Sequence, residues 1–372
     1  MNLRVLVVDD AILFRRAIAD ALGAIPGVEV VGNAVNGRYA LQKIRELKPD
    51  LVTLDLEMPE MDGLATLDAL RSSGEKVQVI VVSALTRAGG DLTMRALQKG
   101  AFDFITKPDA GGAEKGREAL IRELTPRVKA LAHRLEVRSI LRTGSGPAPT
   151  AASAQARAAL APGGLDAIAG RMSRIAAPTR PEMALIGVST GGPAALAELL
   201  PGLPADLGVP VLIVQHMPPI FTQSLAESLA AKCAIKVREA VHGEPAEAGT
   251  AYIAPGGRHM RLAPGGTEGR PRVEITDDPP ENNCRPAVDY LFRSAANLFP
   301  GRSTAVILTG MGNDGTLGLR LLKRHGCFAI AQDESSCVVY GMPKSAVDAG
   351  VVDAVLPLGA IAARLVSTVR GR

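Results

Sequence analysis

The sequence predicts two doubly wound α/β domains joined by a linker. Its 372 residues are enough for two domains of about 150 residues each and a connector. Short aliphatic runs alternate with amphipathic stretches over the first third of the chain and again from Glu182 onward, which is typical of parallel sheets covered by helices on both faces. Between these parts, residues 144–180 are rich in Ala, Pro, Gly and Ser, as flexible linkers are.

We expect the first domain to cover residues 1–122, a helical and then Ala/Pro-rich linker to cover 123–180, and the second domain to cover 181–370. A helical pattern runs from residue 114 to 141, with a kink or restart at Pro126. The five strands expected in the first domain, which would form one parallel sheet, lie at residues 4–8, 28–34, 51–54, 77–82 and 103–105.

The pattern of the second domain also predicts a parallel sheet, with one irregular part. Gly and Pro interrupt short β-like runs between residues 240 and 275, including 250–254 and 272–275, so we expect a small antiparallel insertion there. The buried strands expected outside this insertion lie at residues 184–188, 209–214, 305–308 and 328–331.

Composition and charge exclude several classes of protein. Hydrophobic residues make up 47% and charged residues 22% of the chain, an ordinary globular balance. Aromatic residues are 3% and the net charge is only +4, so a nucleic-acid partner is not expected. The four cysteines form no CxxC pair, which argues against a zinc ribbon and fits reduced thiols. The N-terminus lacks the apolar stretch of a signal peptide, and no apolar run approaches about 18 residues, so we expect a cytoplasmic chain.

Charged and polar side chains follow the predicted strands of the first domain. Asp9 and Asp10 follow the first strand, Asp55 the third, Ser83 the fourth and Lys107 the fifth. A single Asp at such a place is more often a helix cap. As a set, these residues predict a phospho-acceptor pocket at the carboxyl edge of the sheet, because crowded carboxylates bind Mg²⁺ and one of them can accept a phosphoryl group.

This part of the chain resembles the receiver domain of two-component response regulators. The segments that carry the resemblance are VVDD at 7–10, LDLEMP at 54–59, MDG at 61–63, VSA at 82–84 and TKP at 106–108. The resemblance implies that Asp55 is phosphorylated and that Mg²⁺ is held by Asp9, Asp10, Asp55 and the backbone carbonyl of Glu57. It also implies that Ser83 is the switch hydroxyl and that Lys107 contacts the phosphate.

The second domain carries a G-x-S-x-G pattern centred on Ser189, at a predicted strand-to-helix turn. Alone, this pattern fits a nucleophile, a phosphate cradle or a helix cap equally well. His216 and Asp314, however, follow two further predicted strands, and together the three residues are the nucleophile, base and orienting carboxylate of acyl transfer. Their chain order, Ser, His, Asp, differs from that of α/β-hydrolases.

The same domain resembles the catalytic domain of the chemotaxis protein-glutamate methylesterases, the CheB family. The segments concerned are IGVSTGGP at 186–193, QHMPP at 215–219, YIAPG at 252–256, RPAVDYLF at 285–292, LTGMGNDG at 308–315 and VYGMP at 339–343. The resemblance implies that Ser189, His216 and Asp314 are catalytic and that Thr190 and Met311 lie near the oxyanion. The segment around Cys284 departs from the family, in which a histidine is expected.

Together, the resemblances imply a phosphorylation-activated esterase. It would hydrolyse glutamate γ-methyl esters on chemoreceptors with release of methanol, deamidate receptor glutamines and need no cofactor for this chemistry. A chemotaxis histidine kinase would donate the phosphoryl group, and the receptor array would be the chain's only link to the membrane. Two alternatives remain at this point: a receiver-gated serine esterase of a non-flagellar pathway, and a non-enzymatic phospho-switch that binds a partner.

Overall fold

The computed structural model of the chain describes residues 2–108, 113–143, 181–265 and 271–371. The predicted flexible linker, residues 144–180, lies outside the described residues. Within them the chain forms a five-stranded sheet, a seven-stranded sheet and a separate two-stranded sheet.

The five-stranded sheet has the strand order β2-β1-β3-β4-β5, and every pairing in it is parallel. The strands are β1 (Leu3–Val8), β2 (Val28–Ala34), β3 (Leu51–Asp55), β4 (Gln78–Ser83) and β5 (Asp103–Thr106). The helices that follow them are α1 (Ile12–Gly23), α2 (Gly37–Leu47), α3 (Gly63–Ser73), α4 (Arg87–Gln98) and α5 (Ala113–Thr143). The predicted doubly wound α/β class is confirmed here.

Helix α5 is one continuous helix of 31 residues with Pro126 in its interior. It runs across the predicted end of the first domain at residue 122. Its buried leucines, Leu120, Leu124 and Leu131, join the hydrophobic cluster on one face of the five-stranded sheet.

The seven-stranded sheet has the order β14-β13-β12-β6-β7-β9-β8 and is also entirely parallel. Its strands are β6 (Met183–Val188), β7 (Val211–Gln215), β8 (Lys236–Glu239), β9 (Thr250–Ile253), β12 (Ser303–Ile307), β13 (Phe328–Gln332) and β14 (Ala354–Leu356). Its helices are α6 (Gly192–Leu199), α7 (Phe221–Ala230), α8 (Val288–Leu298), α9 (Thr316–Arg324), α10 (Met342–Asp348) and α11 (Leu358–Arg370), with a 3-10 turn at Leu200–Gly202.

The antiparallel insertion exists, but it is smaller than predicted. It consists of β10 (His259–Ala263) paired with β11 (Arg272–Thr276). The placement of residues 250–254 in the insertion was wrong, because β9 pairs in parallel with β7 and β8. Every residue of β9 is buried, as expected of a strand inside a parallel sheet that is covered on both faces.

The two larger sheets are brought together by helix α4 and helix α7. Oγ of Ser224 donates a hydrogen bond of 2.8 Å to Oδ1 of Asp91. The ring of Phe104, on β5, lies 4.6 Å from that of Phe221, the first residue of α7, measured between centroids. Helix α7 begins shortly after the carboxyl end of β7, so this contact is close to the edge where the predicted catalytic residues lie.

Candidate active site and acidic pocket

An acidic pocket lies at the carboxyl edge of the five-stranded sheet. Carboxylate oxygens of Asp9, Asp10 and Asp55 lie within 4.8 Å of one another. Asp9 and Asp55 are buried and Asp10 is exposed. Nζ of Lys107 lies 2.6 Å from Oδ2 of Asp55 and 3.3 Å from Oδ2 of Asp9. The fold therefore brings together the four charged residues that the sequence placed here.

The electrostatics of this pocket suit a hard cation. Burial, and then the charge of Asp55, raise the pKa of Asp9. Burial tends to lower the pKa of Lys107, but its bond to Asp55 and the nearby carboxylate charges outweigh this effect and raise it. Oδ2 of Asp9 is buried, and its cationic neighbour among the described residues is Nζ of Lys107, 3.3 Å away, with which it makes no hydrogen bond of regular geometry. A buried carboxylate oxygen with no regular hydrogen bond, beside two further carboxylates, fits Mg²⁺.

Ser83 faces helix α4. Its Oγ donates to the carbonyl of Gly89, in the first turn of α4, at 3.1 Å. The N–H of Glu57 lies 3.3 Å from Oδ1 of Asp55, which places the Glu57 backbone at the rim of the pocket. Its carbonyl as a magnesium ligand stays a prediction.

Ser189 lies on the turn between β6 and α6. Its N–H donates to the carbonyl of Thr309 at 3.0 Å, and its carbonyl accepts from the N–H of Gly192 at 2.8 Å. Gly191 has φ of 76°, and a Cβ at this position would lie 2.5 Å from the Val338 side chain. The N-cap of α6 is Gly191, and the Ser189 hydroxyl accepts no hydrogen bond from a described backbone N–H, so it does not act as a helix cap.

The backbone of His216 is tied to the same turn. Its N–H donates to the carbonyl of Val188 at 3.1 Å. Nε2 of Gln215 donates to the carbonyls of Ser189, at 3.0 Å, and His216, at 3.1 Å. The Gln215 side chain thus holds the turn that carries Ser189 next to the backbone of His216. Sequence reasoning assigned Gln215 no role, and its only signal was its place next to His216.

The side chains of His216 and Asp314 are in direct contact. Nε2 of His216 lies 2.8 Å from Oδ2 of Asp314, and Nδ1 lies 3.6 Å from Sγ of Cys284. In the described part of the chain, the Ser189 hydroxyl has no hydrogen-bond partner. The serine, histidine and aspartate follow β6, β7 and β12, which are neighbours in the order β12-β6-β7. The structure therefore places all three at one edge of the sheet.

Asp314 is buried, and donors surround its carboxylate. Oδ2 accepts from the N–H of Val288 at 2.7 Å, and Oδ1 accepts from the N–H groups of Asp289, at 2.9 Å, and Gly315, at 3.0 Å. Burial tends to raise the pKa of Asp314, but its bonds to His216 and to backbone amides outweigh burial and lower the pKa to about 2. Asp314 is therefore held as an anion, and with Cys284 it raises the pKa of His216 against the opposing effect of burial.

Two backbone donors next to Ser189 are free. The N–H groups of Thr190 and Met311 donate to no acceptor in the ranges that the structure describes. Gly310 lies between Met311 and the nucleophile turn, and a Cβ on it would lie 2.7 Å from Cβ of Ser189. Only a glycine at position 310 allows the two backbone segments to lie this close together. Free N–H groups in such a position are what an oxyanion hole requires.

His259 supports the site indirectly. It is buried, its Nε2 contacts the carbonyl of Pro279 at 3.1 Å, and its Nδ1 accepts from the N–H of Ala287 at 3.2 Å. Its ring stacks on Tyr290 at 4.3 Å between centroids. Because Ala287 directly precedes the amides that bind Asp314, His259 has a structural role.

Among the described residues, no helix has both the length and the apolar character needed to cross a lipid bilayer.

Comparisons with known proteins assign both parts of the chain. Residues 184–365 match the CheB methylesterase family, and residues 5–113 match the response regulator receiver domain. A protein-glutamate methylesterase/protein-glutamine glutaminase of Desulfotalea psychrophila is 49% identical over 369 residues, 99% of each chain. A protein of the same name from Nocardioides is 43% identical over 363 residues, 96% of this chain and 93% of the relative. The crystal structure of the Thermotoga maritima CheB methylesterase catalytic domain has 42% identity and a TM-score of 0.49, covering 51% of this chain and 99% of that one.

Proposed function

The chain belongs to the family of CheB methylesterases, in which a receiver domain precedes the catalytic domain, and from this premise we propose that Ser189, His216 and Asp314 hydrolyse glutamate γ-methyl esters on chemoreceptors under the control of Asp55. The observation that carries the proposal is the contact between His216 and Asp314, 2.8 Å long, beside the turn that presents Ser189.

In the first step, Oγ of Ser189 attacks the ester carbonyl. Because Nε2 of His216 is bound to Asp314, its Nδ1 is the nitrogen available to take the serine proton, once its weak 3.6 Å contact with Cys284 is given up. Asp314 stays ionised and stabilises the imidazolium. The free N–H groups of Thr190 and Met311 donate hydrogen bonds to the former carbonyl oxygen and stabilise its negative charge.

In the second step, the ester C–O bond breaks and methanol leaves with the proton from His216. Water, which His216 deprotonates, then attacks the glutamyl-serine ester. The bond between the acyl carbon and Oγ breaks, His216 returns the proton to Ser189, and the product gives its own acid proton to solvent and leaves as the carboxylate. With a glutamine substrate the same steps release ammonia instead of methanol. The cycle begins and ends with the same protonation states and requires no cofactor.

In the receiver domain, we propose that Asp55 is the phosphoacceptor. One of its oxygens forms a bond to phosphorus while the donor's bond to phosphorus breaks. Nζ of Lys107, 2.6 Å from Oδ2 of Asp55, is placed to neutralise the phosphoryl charge. Asp9, Asp10, Asp55 and the Glu57 carbonyl would hold Mg²⁺. When bound, this ion offsets the repulsion between the carboxylates and the phosphoryl oxygens.

Phosphorylation would be transmitted through α4. A phosphoryl group on Asp55 offers the Ser83 hydroxyl a charged acceptor in place of the Gly89 carbonyl. Gly89 belongs to the turn of α4 that precedes Gly90 and Asp91, and Asp91 binds Ser224 of α7. We propose that the receiver restrains the catalytic edge through this contact and that phosphorylation weakens it.

The proposed partners follow from this chemistry. A sensor histidine kinase would donate the phosphoryl group, and the cytoplasmic helices of chemoreceptors would be the substrates. The reaction would therefore take place in the cytoplasm, with membrane contact only through the receptor array. A non-enzymatic binding module is not favoured, because the relatives that match nearly the whole chain are named as enzymes.

The function is tested by incubating the chain with membranes that contain methylated chemoreceptors. We expect methanol release that increases when acetyl phosphate and Mg²⁺ are added. Membranes prepared without the receptor are the control and should release none. Absence of methanol release from methylated receptors, in the presence of phosphodonor, would contradict the proposed function.

A further inference from the structure

The carboxylate of Asp314 is linked to a second buried carboxylate by one amide side chain. Nδ2 of Asn282 lies 2.8 Å from Oδ1 of Asp314 and 3.0 Å from Oδ2 of Asp289. Asp289 is 1% and Asp314 is 3% exposed. Among the described residues, the Asp289 side chain makes no hydrogen bond to His216 or Ser189, and its Oδ1 accepts from the N–H of Gly318 at 2.7 Å.

Two buried carboxylates this close to one amide repel each other. Burial, and with it the charge of Asp314, raises the pKa of Asp289 to about 6, against the lowering effect of the Gly318 amide. The two N–H groups of a primary amide can satisfy both carboxylates at once, because an amide nitrogen carries two donors. A carboxylate at the same place would instead add a third negative charge.

The backbone around Asn282 is fixed in a tight turn. Glu281 and Cys284 exchange two backbone hydrogen bonds, of 3.1 and 2.8 Å. Asn282 has φ of 54° and Asn283 has φ of 59°, in the left-handed region that asparagine tolerates better than most residues. Both nitrogens of the Arg293 fork bind Glu281, at 2.6 and 2.7 Å, and tie the turn to α8.

The turn therefore places one side chain on each side of the His216 imidazole. Asn282 reaches Asp314, and Cys284, two residues later, reaches Nδ1 of His216. Oδ1 of Asp314 accepts from Asn282, Asp289 and Gly315. With these donors on Oδ1, Oδ2 remains directed at the imidazole.

We propose that Asn282 is a positioning residue of the hydrolytic reaction: its amide bridges Asp314 and Asp289 and so keeps Asp314 ionised and oriented toward His216. The inference rests on the proposed function and adds to it a residue that acts through Asp314 without touching the substrate. Removing the bridge should therefore lower kcat and leave KM unchanged.

Three variants separate the amide from the turn. Asn282→Gly removes the amide while suiting the positive φ. Asn283→Gly is the matched control, because Asn283 has a similar φ, is exposed, and has no side-chain hydrogen bond within the described ranges. Asn282→Asp keeps the size and replaces a donor by an acceptor. The titratable and charged groups that face the new carboxylate are Asp314, Asp289, His216, Cys284 and Glu281 with its partner Arg293.

We expect Asn282→Gly to lower kcat for methanol release about tenfold with unchanged KM, as the loss of one hydrogen bond to a charged group predicts. Asn282→Asp should lower kcat at least as much and move the acid limb of the kcat/KM profile to higher pH, because an added negative charge raises the pKa of the base. Asn283→Gly should resemble the wild type in both measurements.

A wild-type kcat and a wild-type pH profile in both Asn282 variants would overturn the inference. A fall in kcat in Asn283→Gly as large as that in Asn282→Gly would also overturn it, because the effect would then come from the turn and not from the amide. If Asn282→Gly does not fold, as judged by circular dichroism, the pH profile of Asn282→Asp decides. The proposed function is judged separately, by Ser189→Ala in the same assay. Retained activity in Ser189→Ala would refute the assignment of the nucleophile. If Ser189→Ala is inactive while both Asn282 variants behave like the wild type, only the inference about Asn282 is refuted.

Discussion

Nε2 of His216 lies 2.8 Å from Oδ2 of Asp314, although 98 positions separate the two residues in the sequence. The contact exists because β7 and β12 flank β6 in the parallel sheet, so that their carboxyl ends lie on either side of the Ser189 turn. It joins an anion with a lowered pKa to an imidazole with a raised one.

The first prediction concerns Asp314. Asp314→Asn keeps the shape of the side chain but removes the charge that stabilises the imidazolium and fixes its tautomer. We expect kcat for methanol release to fall by about three orders of magnitude or more, as in other triads. Asp348→Asn, at an exposed carboxylate that pairs with Lys344, is the control and should retain activity. Similar rates in the two variants would argue against Asp314 as the orienting group.

The second prediction concerns pH. The base form of His216 exists only above its pKa, which Asp314 and Cys284 raise. We therefore expect the acid limb of kcat/KM to lie above the ordinary histidine value of about 6.5. Cys284→Ala removes one of the raising contacts and should move this limb to lower pH. Cys233→Ala, at a thiol in another part of the fold, should leave it in place, and an unmoved limb in Cys284→Ala would be evidence against the contact.

The third prediction concerns the acidic pocket. Asp55→Asn should abolish labelling of the chain by acetyl phosphate, because the amide cannot serve as the acceptor. Removal of Mg²⁺ with EDTA should do the same while leaving basal methanol release unchanged, because the hydrolytic steps use no metal. Asp68→Asn, at an exposed carboxylate paired with Lys99, should be labelled normally. Full labelling of Asp55→Asn would mean that another residue accepts the phosphoryl group.

The fourth prediction concerns the contact between α4 and α7. A Cβ on Gly90 would lie 2.8 Å from Oγ of Ser224, so the two helices are packed closely there. Gly90→Leu should push them apart, raise basal methanol release and reduce the further activation by acetyl phosphate. Ala88→Leu places the same side chain at an exposed position of α4 and should behave like the wild type. Unchanged basal activity in Gly90→Leu would argue against restraint through this contact.

Much of both sites was predictable because parallel strands end at a common edge. Asp55 is the last residue of the buried strand β3, and His216 directly follows the buried strand β7. The doubly wound class alone was therefore enough to place them at the carboxyl edges of their sheets. The supporting groups were not predictable in this way. Asn282 reaches Asp314 from a left-handed turn with no periodic pattern, and Gln215 acts through a side chain whose partners are backbone carbonyls.

Strand β9 shows the limit of local pattern. Its Gly- and Pro-rich surroundings resemble those of a hairpin, and for that reason it was wrongly placed in the antiparallel insertion. Its position between β7 and β8 depends on burial across the whole sheet, which the neighbouring residues do not encode.

The most direct test of the central claim is the rate of methanol release from methylated receptor membranes by Ser189→Ala, compared with wild type and with Ser335→Ala, at an exposed serine that binds Asp333. Because the attacking hydroxyl is lost, we expect no release by Ser189→Ala above the membrane background, with unchanged thermal unfolding. Ser335→Ala should match the wild type. Release at the wild-type rate by a folded Ser189→Ala chain would contradict the assignment of the hydrolytic site.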